Sequence, residues 1–284
     1  MKKILLIGSE GYIASKLYLS LSSDKFDIHK IDNLSKNGEK NISENTIIKN
    51  YQDLDESFLS EFNDCIWLAG HSSVNDSLSD PNGALNNNFF DFIEFRQKFP
   101  NRLIYASSGS VYSRQLPEYC DENSPTMVPD NVYDFTKISF DNYLKSNNKD
   151  GVGLRFGTVN GVGKNIKSEL MLNSMVKASK IGQITVMNKK FFRPILWIDD
   201  LVRAILAILN SEIQSGIYNL ASFNSSIGEM AKEVSSITGA DIVDKGESST
   251  YNFMMKTEKF EKEFNFEFEG SIKTIVDSLV DFEY

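Results

Sequence analysis

Cysteine and histidine are scarce in this sequence. The chain has two cysteines, Cys65 and Cys120, and two histidines, His29 and His71, with no CxxC motif and no Cys/His cluster. This scarcity argues against a metal site, a disulfide framework and the histidine-dependent triad of a serine hydrolase. Unpaired cysteines are usual in a reducing compartment, so we expect a cytoplasmic protein without a metal.

Long apolar runs are missing as well. The first apolar run ends before Gly8. This run is too short for the apolar core of a signal peptide. The stretch 195–209 is interrupted by Asp199, Asp200 and Arg203, which disqualifies it as a membrane span. We therefore expect neither export nor insertion into a membrane.

Positive charge is in short supply. The 30 lysines and arginines face 39 aspartates and glutamates, which gives a formal net charge of −9. A field of this sign repels nucleic acid and anionic lipid, so we expect neither as a partner. The 6 prolines and 17 glycines are too few for a fibrous or disordered chain. The composition indicates a globular protein that must hold any anionic ligand with local groups.

Strand-like and helix-like segments alternate over the first two thirds of the chain. The strand-like runs are 3–7, 27–32, 46–49, 64–68, 102–106 and 152–155, and helix-like segments include 12–22, 82–99 and 132–147. This alternation predicts an α/β fold with a Rossmann-type, doubly wound parallel sheet. We expect a nucleotide-binding domain over residues 1–156. Residues 157–284 form a smaller, mainly substrate-binding C-terminal region, with segments that return to the first domain.

The loop after the first strand has the pattern of a dinucleotide-binding turn. Gly8 permits a tight turn, Gly11 lets the backbone approach a phosphate, and Ala14 is small enough for close packing of helix on strand. A pyrophosphate would lie at the positive amino end of the following helix. An ordinary strand-to-helix turn has the same local pattern, and the loop alone does not exclude it.

Asp32, at the end of the second strand, favours NAD over NADP because its carboxylate can accept both adenosine ribose hydroxyls. A 2′-phosphate beside it would meet a repulsion of about 4 kcal/mol at ~4 Å and an effective dielectric of about 20. Lys36 and Lys40 lie near enough in sequence to soften this preference. Asp53 fits either an adenine contact or a solvated loop carboxylate.

Tyr133 and Lys137 lie one helical turn apart, after a strand that ends in Ser107 and Ser108. A hydroxyl at that strand end and the Tyr/Lys helix can face one crevice. Tyrosine is a poor base at neutral pH, and lowering its pKa by about 3 needs roughly 4 kcal/mol. We expect Lys137 and an oxidised nicotinamide to supply that stabilisation.

Taken in order, these motifs resemble a known family. They are Gly8xxGly11xxAla14, Asp32-Asn33-Leu34, Leu68-Ala69-Gly70, Ser107-Ser108 with Val111-Tyr112, Tyr133xxxLys137, and Arg193 before Ile198-Asp199-Asp200-Leu201. The sequence is similar to the extended short-chain dehydrogenase/reductases, in particular the NAD-dependent nucleotide-sugar epimerase/dehydratase family that includes UDP-galactose 4-epimerase. The resemblance implies an NAD-dependent enzyme of carbohydrate biosynthesis, a nucleotide-diphosphate sugar as substrate, and a homodimer.

The resemblance also implies roles for individual residues. Tyr133 is the expected base, Lys137 its electrostatic partner and nicotinamide ribose ligand, and Ser108 the hydroxyl that binds the sugar oxygen. The expected cofactor-binding residues are Gly8, Gly11, Tyr12, Ile13, Asp32, Asn33, Asp53, Leu54, Leu68, Ala69, Gly70, Asn87, Tyr133 and Lys137. The expected substrate-binding residues are Ser108, Ser110, Tyr133, Thr158, Asn173 and Arg193, with Arg193 as a bidentate donor to the pyrophosphate.

Two departures from the family pattern bear on the reaction. Gly109-Ser110 stands where sugar 4,6-dehydratases have an acidic residue, which leaves no obvious base for the sugar C5 proton. Thr158 stands where the 4-epimerase has an asparagine. We expect an epimerase that transiently oxidises C4 of the sugar. A C4 dehydrogenase, a 4-keto reductase and a non-catalytic NAD-binding regulatory protein remain the alternatives.

Overall fold

The computed structural model describes residues 1–21, 25–36, 38, 42–112, 119–147 and 150–283, with the side chain of Asn147 excepted. The strands are β1 (Lys2–Ile7), β2 (Phe26–Asp32), β3 (Thr46–Ile48), β4 (Asp64–Trp67), β5 (Arg102–Ser108), β6 (Tyr119–Cys120), β7 (Gly151–Phe156), β8 (Thr158–Asn160), β9 (Gln183–Val186), β10 (Phe192–Trp197), β11 (Gly216–Leu220), β12 (Phe223–Ser226), β13 (Asp241–Asp244) and β14 (Met254–Met255). The α-helices are α1 (Tyr12–Leu21), α2 (Glu56–Leu59), α3 (Val74–Ser79), α4 (Pro81–Leu85), α5 (Asp91–Lys98), α6 (Val132–Asn147), α7 (Met171–Ser179), α8 (Ile198–Leu209), α9 (Ile227–Thr238), α10 (Glu258–Phe264) and α11 (Ile272–Val280).

A seven-stranded sheet in the order β11-β7-β5-β4-β1-β2-β3 forms the centre of the fold. β1 pairs in parallel with β2 and β4, β4 with β5, and β2 with β3. The chain therefore winds outward in both directions from β1, and the strand order reverses between β1 and β4. Ligands of doubly wound sheets bind outside the carboxyl ends of the strands at this reversal. The predicted Rossmann-type α/β class is confirmed.

Contacts divide the chain into two compact units. The first unit comprises the described residues of Met1–Val111, Val128–Leu154 and Ile208–Ile217, and the second those of Tyr112–Met127, Arg155–Ala207 and Tyr218–Tyr284. In the first unit, the side chains of β1, β4 and β5 are almost all buried. Strands covered by helices on both faces read as such continuous apolar runs, which is why the sequence pattern was clear here.

α6 is held in the first unit by aromatic packing. The ring of Phe140 stacks on that of Phe92 with 3.7 Å between centroids and meets Tyr105 of β5 edge-on at 4.9 Å. Asn131 caps the helix, because its side-chain oxygen accepts a 2.9 Å hydrogen bond from the backbone N–H of Asp134. These contacts fix the first turn of α6, which carries Tyr133.

The helix predicted over 82–99 is divided in the structure. Asp80 caps α4 by accepting a 2.9 Å bond from Gly83 N, and Pro81 occupies the first helical position. A π-helical turn then spans Asn86–Phe90 before α5 begins. π turns insert one residue into the helical ladder and often occur at functional sites. Here the turn carries the predicted cofactor residue Asn87.

The second unit has three small sheets and its own core. β10 pairs antiparallel with β12 and parallel with β8, while β13 pairs with β9 and β14 with β6, both in parallel. Apolar faces of α7, α9 and α11 pack together in this core. Ser226 and Glu229 form a reciprocal capping box at the start of α9. Among the described helices of both units, none is long and apolar enough to cross a membrane.

Candidate active site

The loop after β1 needs glycine at its first position. Gly8 has a φ of +80°, and a Cβ there would lie 2.6 Å from the backbone nitrogen of Ala69. The end of β1 thus runs against the segment that follows β4. Gly11 donates a 3.1 Å hydrogen bond to Gly8 O and accepts one from Ser15 N at 3.0 Å. This closes the turn directly onto α1.

The loop fits a phosphate-bearing ligand. α1 begins at Tyr12, so the loop leads directly into the amino end of this helix, where the helix dipole is positive. Ser9 is 1% exposed, and among the described residues its hydroxyl has no hydrogen-bond partner. An orphaned hydroxyl beside the positive end of a helix suits a group rich in acceptor oxygens, such as a pyrophosphate.

Asp32 lies at the carboxyl end of β2, as the sequence predicts. Its Oδ2 accepts a 2.9 Å bond from Glu10 N, and its Oδ1 accepts a 2.7 Å bond from Leu34 N. Each carboxylate oxygen can accept a further bond, which leaves capacity for ribose hydroxyls. Lys36 lies 3.6 Å from Asp76, so part of its charge is already balanced. Lys40 lies outside the described residues.

Glu10 is a buried carboxylate inside the cofactor loop, and the sequence reading missed it. Its side chain accepts bonds from Thr46 Oγ1 at 2.6 Å and from the backbone N–H and hydroxyl of Ser43, each at 3.1 Å. Only 2% of the residue is exposed. Glu10 therefore ties the loop to the start of β3. The sequence signal that could have identified Glu10 is its acidic side chain between Gly8 and Gly11, where small residues are expected.

The segment after β4 approaches the π turn through Gly70 and Asn88. Gly70 has a φ of +143°, and a Cβ there would lie 2.6 Å from Asn88 Oδ1. That oxygen accepts a 2.8 Å bond from His71 N, while Asn88 Nδ2 donates to His71 O at 2.9 Å. Asn87 accepts a very short bond from the Tyr51 hydroxyl. The π turn thus places Asn87 beside the β4 end.

The remaining predicted cofactor residues differ in how far they are exposed to solvent. Leu68 continues β4 through its N–H, which donates to Ile7 O at 3.0 Å. Asp53 is exposed on a short 3-10 turn, with buried Leu54 directly after it. Asn33 is exposed and donates to Asn50 Oδ1 at 3.0 Å. Ile13 is half-buried in the first turn of α1.

The fold brings Ser108, Tyr133 and Lys137 together. Ser108 ends β5, and it is a hydrogen-bond partner of the Tyr133 phenol on α6. Lys137 Nζ donates a 2.8 Å bond to Ala106 O of β5 and lies 5.7 Å from the centre of the Tyr133 ring. A hydroxyl, a phenol and an ammonium thus converge at the carboxyl end of one central strand. This is the arrangement that the sequence predicted.

The acid–base character of Tyr133 differs from the expectation. Burial, followed by the charge of Asp134, raises the pKa of Tyr133 to about 12, against a lowering by its bond to Ser108. Burial also lowers the pKa of Lys137 to about 8, against the charge of Asp141. Lys137 therefore does not by itself make Tyr133 a base, because burial outweighs its influence at 5.7 Å.

Ser110 connects this cluster to a buried carboxylate. Its hydroxyl lies 2.8 Å from Ser108 Oγ and donates to Asp134 Oδ1. Asp134 is fully buried and also accepts a 2.6 Å bond from Asn131 Nδ2. The sequence suggested no acidic group near Ser110, because Asp134 is distant along the chain. The available signal in the sequence was that Asp134 directly follows Tyr133 in the Tyr133xxxLys137 motif.

The predicted substrate residues Thr158, Asn173 and Arg193 belong to the second unit. Asn173 is fully buried, accepts a 3.0 Å bond from Gly161 N and donates one of 3.0 Å to Lys167 O. Thr158 is half-buried at the start of β8. Arg193 is 8% exposed and donates to Phe192 O at 2.9 Å and to Thr250 Oγ1 at 3.1 Å.

A doubly wound sheet with a glycine turn after β1, a carboxylate after β2 and a Tyr/Lys pair beside β5 is the arrangement expected of a dinucleotide-dependent enzyme of the extended short-chain type. The model of the NAD dependent epimerase/dehydratase family matches residues 4–221. The chain belongs to this family. It is therefore an NAD-dependent enzyme, as the sequence predicted.

Individual known proteins of this kind are also similar to the chain. The chain is 29% identical over 262 residues to the ADP-L-glycero-D-manno-heptose-6-epimerase of Brachyspira hyodysenteriae, covering 82% of this chain and 80% of that one. It is 26% identical to a putative UDP-glucose 4-epimerase of Methanocaldococcus jannaschii, covering 73% of each chain. The solved structure of MoeE5 with UDP-glucuronic acid and NAD has a TM-score of 0.84 at 16% identity and 98% coverage of both chains. The family resemblance and the epimerase prediction are confirmed at family level.

Proposed function

We propose that this protein is an NAD-dependent nucleotide-sugar epimerase that acts by transient oxidation at C4 of the sugar. One observation carries the proposal: Ser108, Tyr133 and Lys137 converge at the carboxyl end of β5, in the unit that also holds the glycine turn and Asp32. A phenolate stabilised by the ammonium can remove the proton of a sugar hydroxyl that the serine hydroxyl positions, while the same carbon gives its hydride to bound NAD.

In the proposed reaction, Tyr133 accepts the proton of the C4 hydroxyl, and Ser108 hydrogen-bonds the same oxygen. Lys137 stabilises the phenolate by its positive charge. NAD, when bound, supplies the acceptor for the hydride from C4 and the donor that returns it. Tyr133 gives its proton back when the ketone is reduced on its other face. The reaction then inverts C4 without net consumption of cofactor.

The groups that would hold NAD belong to the first unit. Gly8, Gly11 and the first turn of α1 suit the pyrophosphate, and the orphaned hydroxyl of Ser9 supports this assignment. Asp32 suits the adenosine ribose. We assign residues 1–156 to NAD binding and residues 157–284 mainly to the substrate.

Arg193 is our candidate for the pyrophosphate of the nucleotide sugar. Burial lowers the pKa of its guanidinium to about 10, so the group remains charged at neutral pH. Its NH1 and NH2 groups have one partner each in Phe192 O and Thr250 Oγ1, while a guanidinium has five N–H donors. Within the part of the chain that the structure describes, these two bonds leave further donors available, which suits a bidentate bond to a phosphate.

The printed names of relatives support a nucleotide sugar as substrate. The heptose relative is named for an ADP-sugar, the archaeal relative for UDP-glucose, and the structural neighbour was solved with UDP-glucuronic acid. With such a substrate, we propose a role in carbohydrate biosynthesis. Cys65 and Cys120 form no disulfide among the described residues, which supports our proposal of a cytoplasmic location.

The heptose relative favours one further candidate, because it is named for epimerisation at C6. To decide, the purified protein with NAD is incubated separately with UDP-glucose, UDP-glucuronic acid and the ADP-heptose. Product stereochemistry is followed by NMR and reduced cofactor by absorbance. We expect inversion at C4 without net reduced cofactor. Inversion at C6 alone would contradict oxidation at C4, and stoichiometric reduced cofactor would indicate a dehydrogenase.

Deuterated water separates an epimerase from a dehydratase. Because Ser110 replaces an acidic residue at the position next to the reacting sugar, we expect C5 of the product to stay unlabelled. Deuterium at C5 together with loss of water would contradict the proposal.

A further inference from the structure

The ammonium of Lys137 occupies a position that disfavours positive charge. Its side chain is half-buried between α6 and β5, and its Nζ donates to Ala106 O at 2.8 Å. Burial lowers the pKa of Lys137 to about 8, which is close to neutral pH. The proposed role requires the protonated lysine. A nearby group must therefore help to retain the proton.

Asp141 is placed to do this. It follows Lys137 by one helical turn, and residues four apart lie on the same face of a helix. Only 1% of Asp141 is exposed, so solvent screens its charge little. Its charge raises the pKa of Lys137 and opposes the effect of burial.

β5 holds the Asp141 carboxylate in place. The Tyr105 hydroxyl donates to Oδ1 at 2.8 Å, and the Ser107 hydroxyl donates to Oδ2 at 3.1 Å. Tyr105 and Ser107 are two residues apart in the strand and point to the same face. Gly153 leaves room for the tyrosine, because a Cβ there would lie 2.4 Å from its hydroxyl oxygen. The two donated bonds hold the carboxylate in this position.

Other charges near α6 are already engaged. The elements packed against α6 include α3, α4, the π turn, β5, the turn 109–111 and α5, whose Phe92 ring stacks on Phe140. On α5, Asp91 accepts a bond from Gln52 Nε2, Arg96 donates to Asn101 O, Lys98 donates to Gln52 O, and Glu94 is exposed. α4, the π turn and the turn 109–111 carry no titratable side chain. Asp76 of α3 faces Lys36 at 3.6 Å, and Arg102 of β5 is paired with Asp64. On α6 itself, Asp134 binds Ser110, and Tyr133 binds Ser108.

We propose that Asp141 is a positioning residue for Lys137: its fixed negative charge keeps the lysine protonated at neutral pH and its hydrogen bonds hold α6 against β5. The role rests on the proposed function, because only that function requires an ammonium at this place. The sequence offers Asp141 as one of several acidic residues on a helix. Its partners on β5 distinguish it from the others.

The test measures the proton affinity of Lys137 without cofactor or substrate. The full-length protein is labelled with trace acetic anhydride over a series of pH values, and peptide mass spectrometry gives the labelled fraction of each lysine. We expect a midpoint for Lys137 near 8. In Asp141→Asn it should fall by at least about one pH unit, the scale of an opposite charge nearby. Exposed Lys262 of the second unit is the internal reference, and its labelled fraction at each pH should not change.

Two further variants separate charge from structure. Ser107→Ala removes one hydrogen bond to Asp141 and leaves the charge, so the Lys137 midpoint should stay near its original value. Asp141→Glu restores a negative charge and should return the midpoint towards 8. An unchanged midpoint in Asp141→Asn, or an equal fall in Ser107→Ala, would overturn the proposal.

The folded state of each variant is checked by thermal unfolding. If Asp141→Asn has no cooperative transition, the smaller neutral variant Asp141→Ser is titrated in its place, with the same expected fall. No sugar nucleotide enters the measurement. If the epimerase proposal is wrong, the turnover assays show it. The Lys137 titration still tests the effect of Asp141, because it does not depend on turnover.

Discussion

Tyr133 is a poor base in the protein without its cofactor, because burial raises the pKa of its phenol to about 12. The Lys137 ammonium lies 5.7 Å from the ring centre and does not reverse this effect. The positive charge of an oxidised nicotinamide is the stabilisation that remains to be added. With a pKa of about 12, the phenol of Tyr133 is protonated at neutral pH in the protein without its cofactor.

Tyr133→Phe tests the base directly. We expect turnover to fall by at least about a hundredfold, the scale of a positioned general base, while NAD binding measured by calorimetry is retained. Tyr143→Phe removes a hydroxyl from the same helix, outside the Ser108 cluster, and serves as the matched control. A near-normal rate for Tyr133→Phe on a verified substrate would remove Tyr133 from this role.

Asp134→Asn tests the carboxylate that Ser110 connects to the site. The charge of Asp134 raises the pKa of Tyr133, so its removal should lower that pKa. Because the reaction needs the deprotonated phenol, the acidic limb of the pH profile of kcat/KM should move to lower pH. The exposed neighbour Asp130, changed to Asn, should leave the limb in place. A shift to higher pH in Asp134→Asn would contradict this reasoning.

At the scale of elements, the β1 turn and the segment after β4 approach each other because Gly8 has no side chain. Gly8→Ala would incur about 1–2 kcal/mol for its positive φ and would also place a Cβ 2.6 Å from Ala69 N. We expect loss of NAD binding by calorimetry and a lower Tm. Gly182→Ala is the matched control, since Gly182 has a φ of +84° with nothing within 4 Å of the added Cβ. Equal effects of the two changes would show that the close approach does not matter.

Two helices illustrate what local pattern determines. α6 spans Val132–Asn147, as the spacing of its apolar residues predicts, because Phe140 and Leu144 bury one face in the core. The segment 82–99 also reads as one helix, yet it contains the π turn Asn86–Phe90. The pairing of Asn88 with His71 is a contact between distant segments, and helical periodicity does not encode it.

At the scale of the whole molecule, apolar side chains remain exposed on neighbouring helical elements of the first unit. Leu78 of α3, Phe90 of the π turn and Phe135 of α6 are 65%, 51% and 43% exposed. α3 and the π turn both pack against α6. Large exposed apolar groups on one surface commonly mark an interface. We propose a homodimer formed through this surface.

Light scattering tests the dimer. We expect a mass of roughly twice the 32.1 kDa of the chain, and a single-chain mass when Phe90 and Phe135 are both changed to Asp. Ile181→Asp places the same charge at an 86% exposed position in the second unit and should leave the dimer intact. A single-chain mass for the unaltered protein at micromolar concentration would contradict the proposal.

The sequence by itself determined the fold class and the choice of NAD, and it predicted the glycine turn after β1 and the pairing of Tyr133 with Lys137 on one helix. Each of these depends on short-range pattern: apolar runs of strand length, glycines at fixed spacing, a carboxylate at a strand end, and two side chains one helical turn apart. Only the tertiary structure decided what surrounds them. Asp134 reaches Ser108 through Ser110, Asp141 binds Tyr105 and Ser107, and burial raises the pKa of Tyr133. These contacts join residues more than twenty positions apart, and burial depends on every neighbour at once, so spacing along the chain could not reveal them.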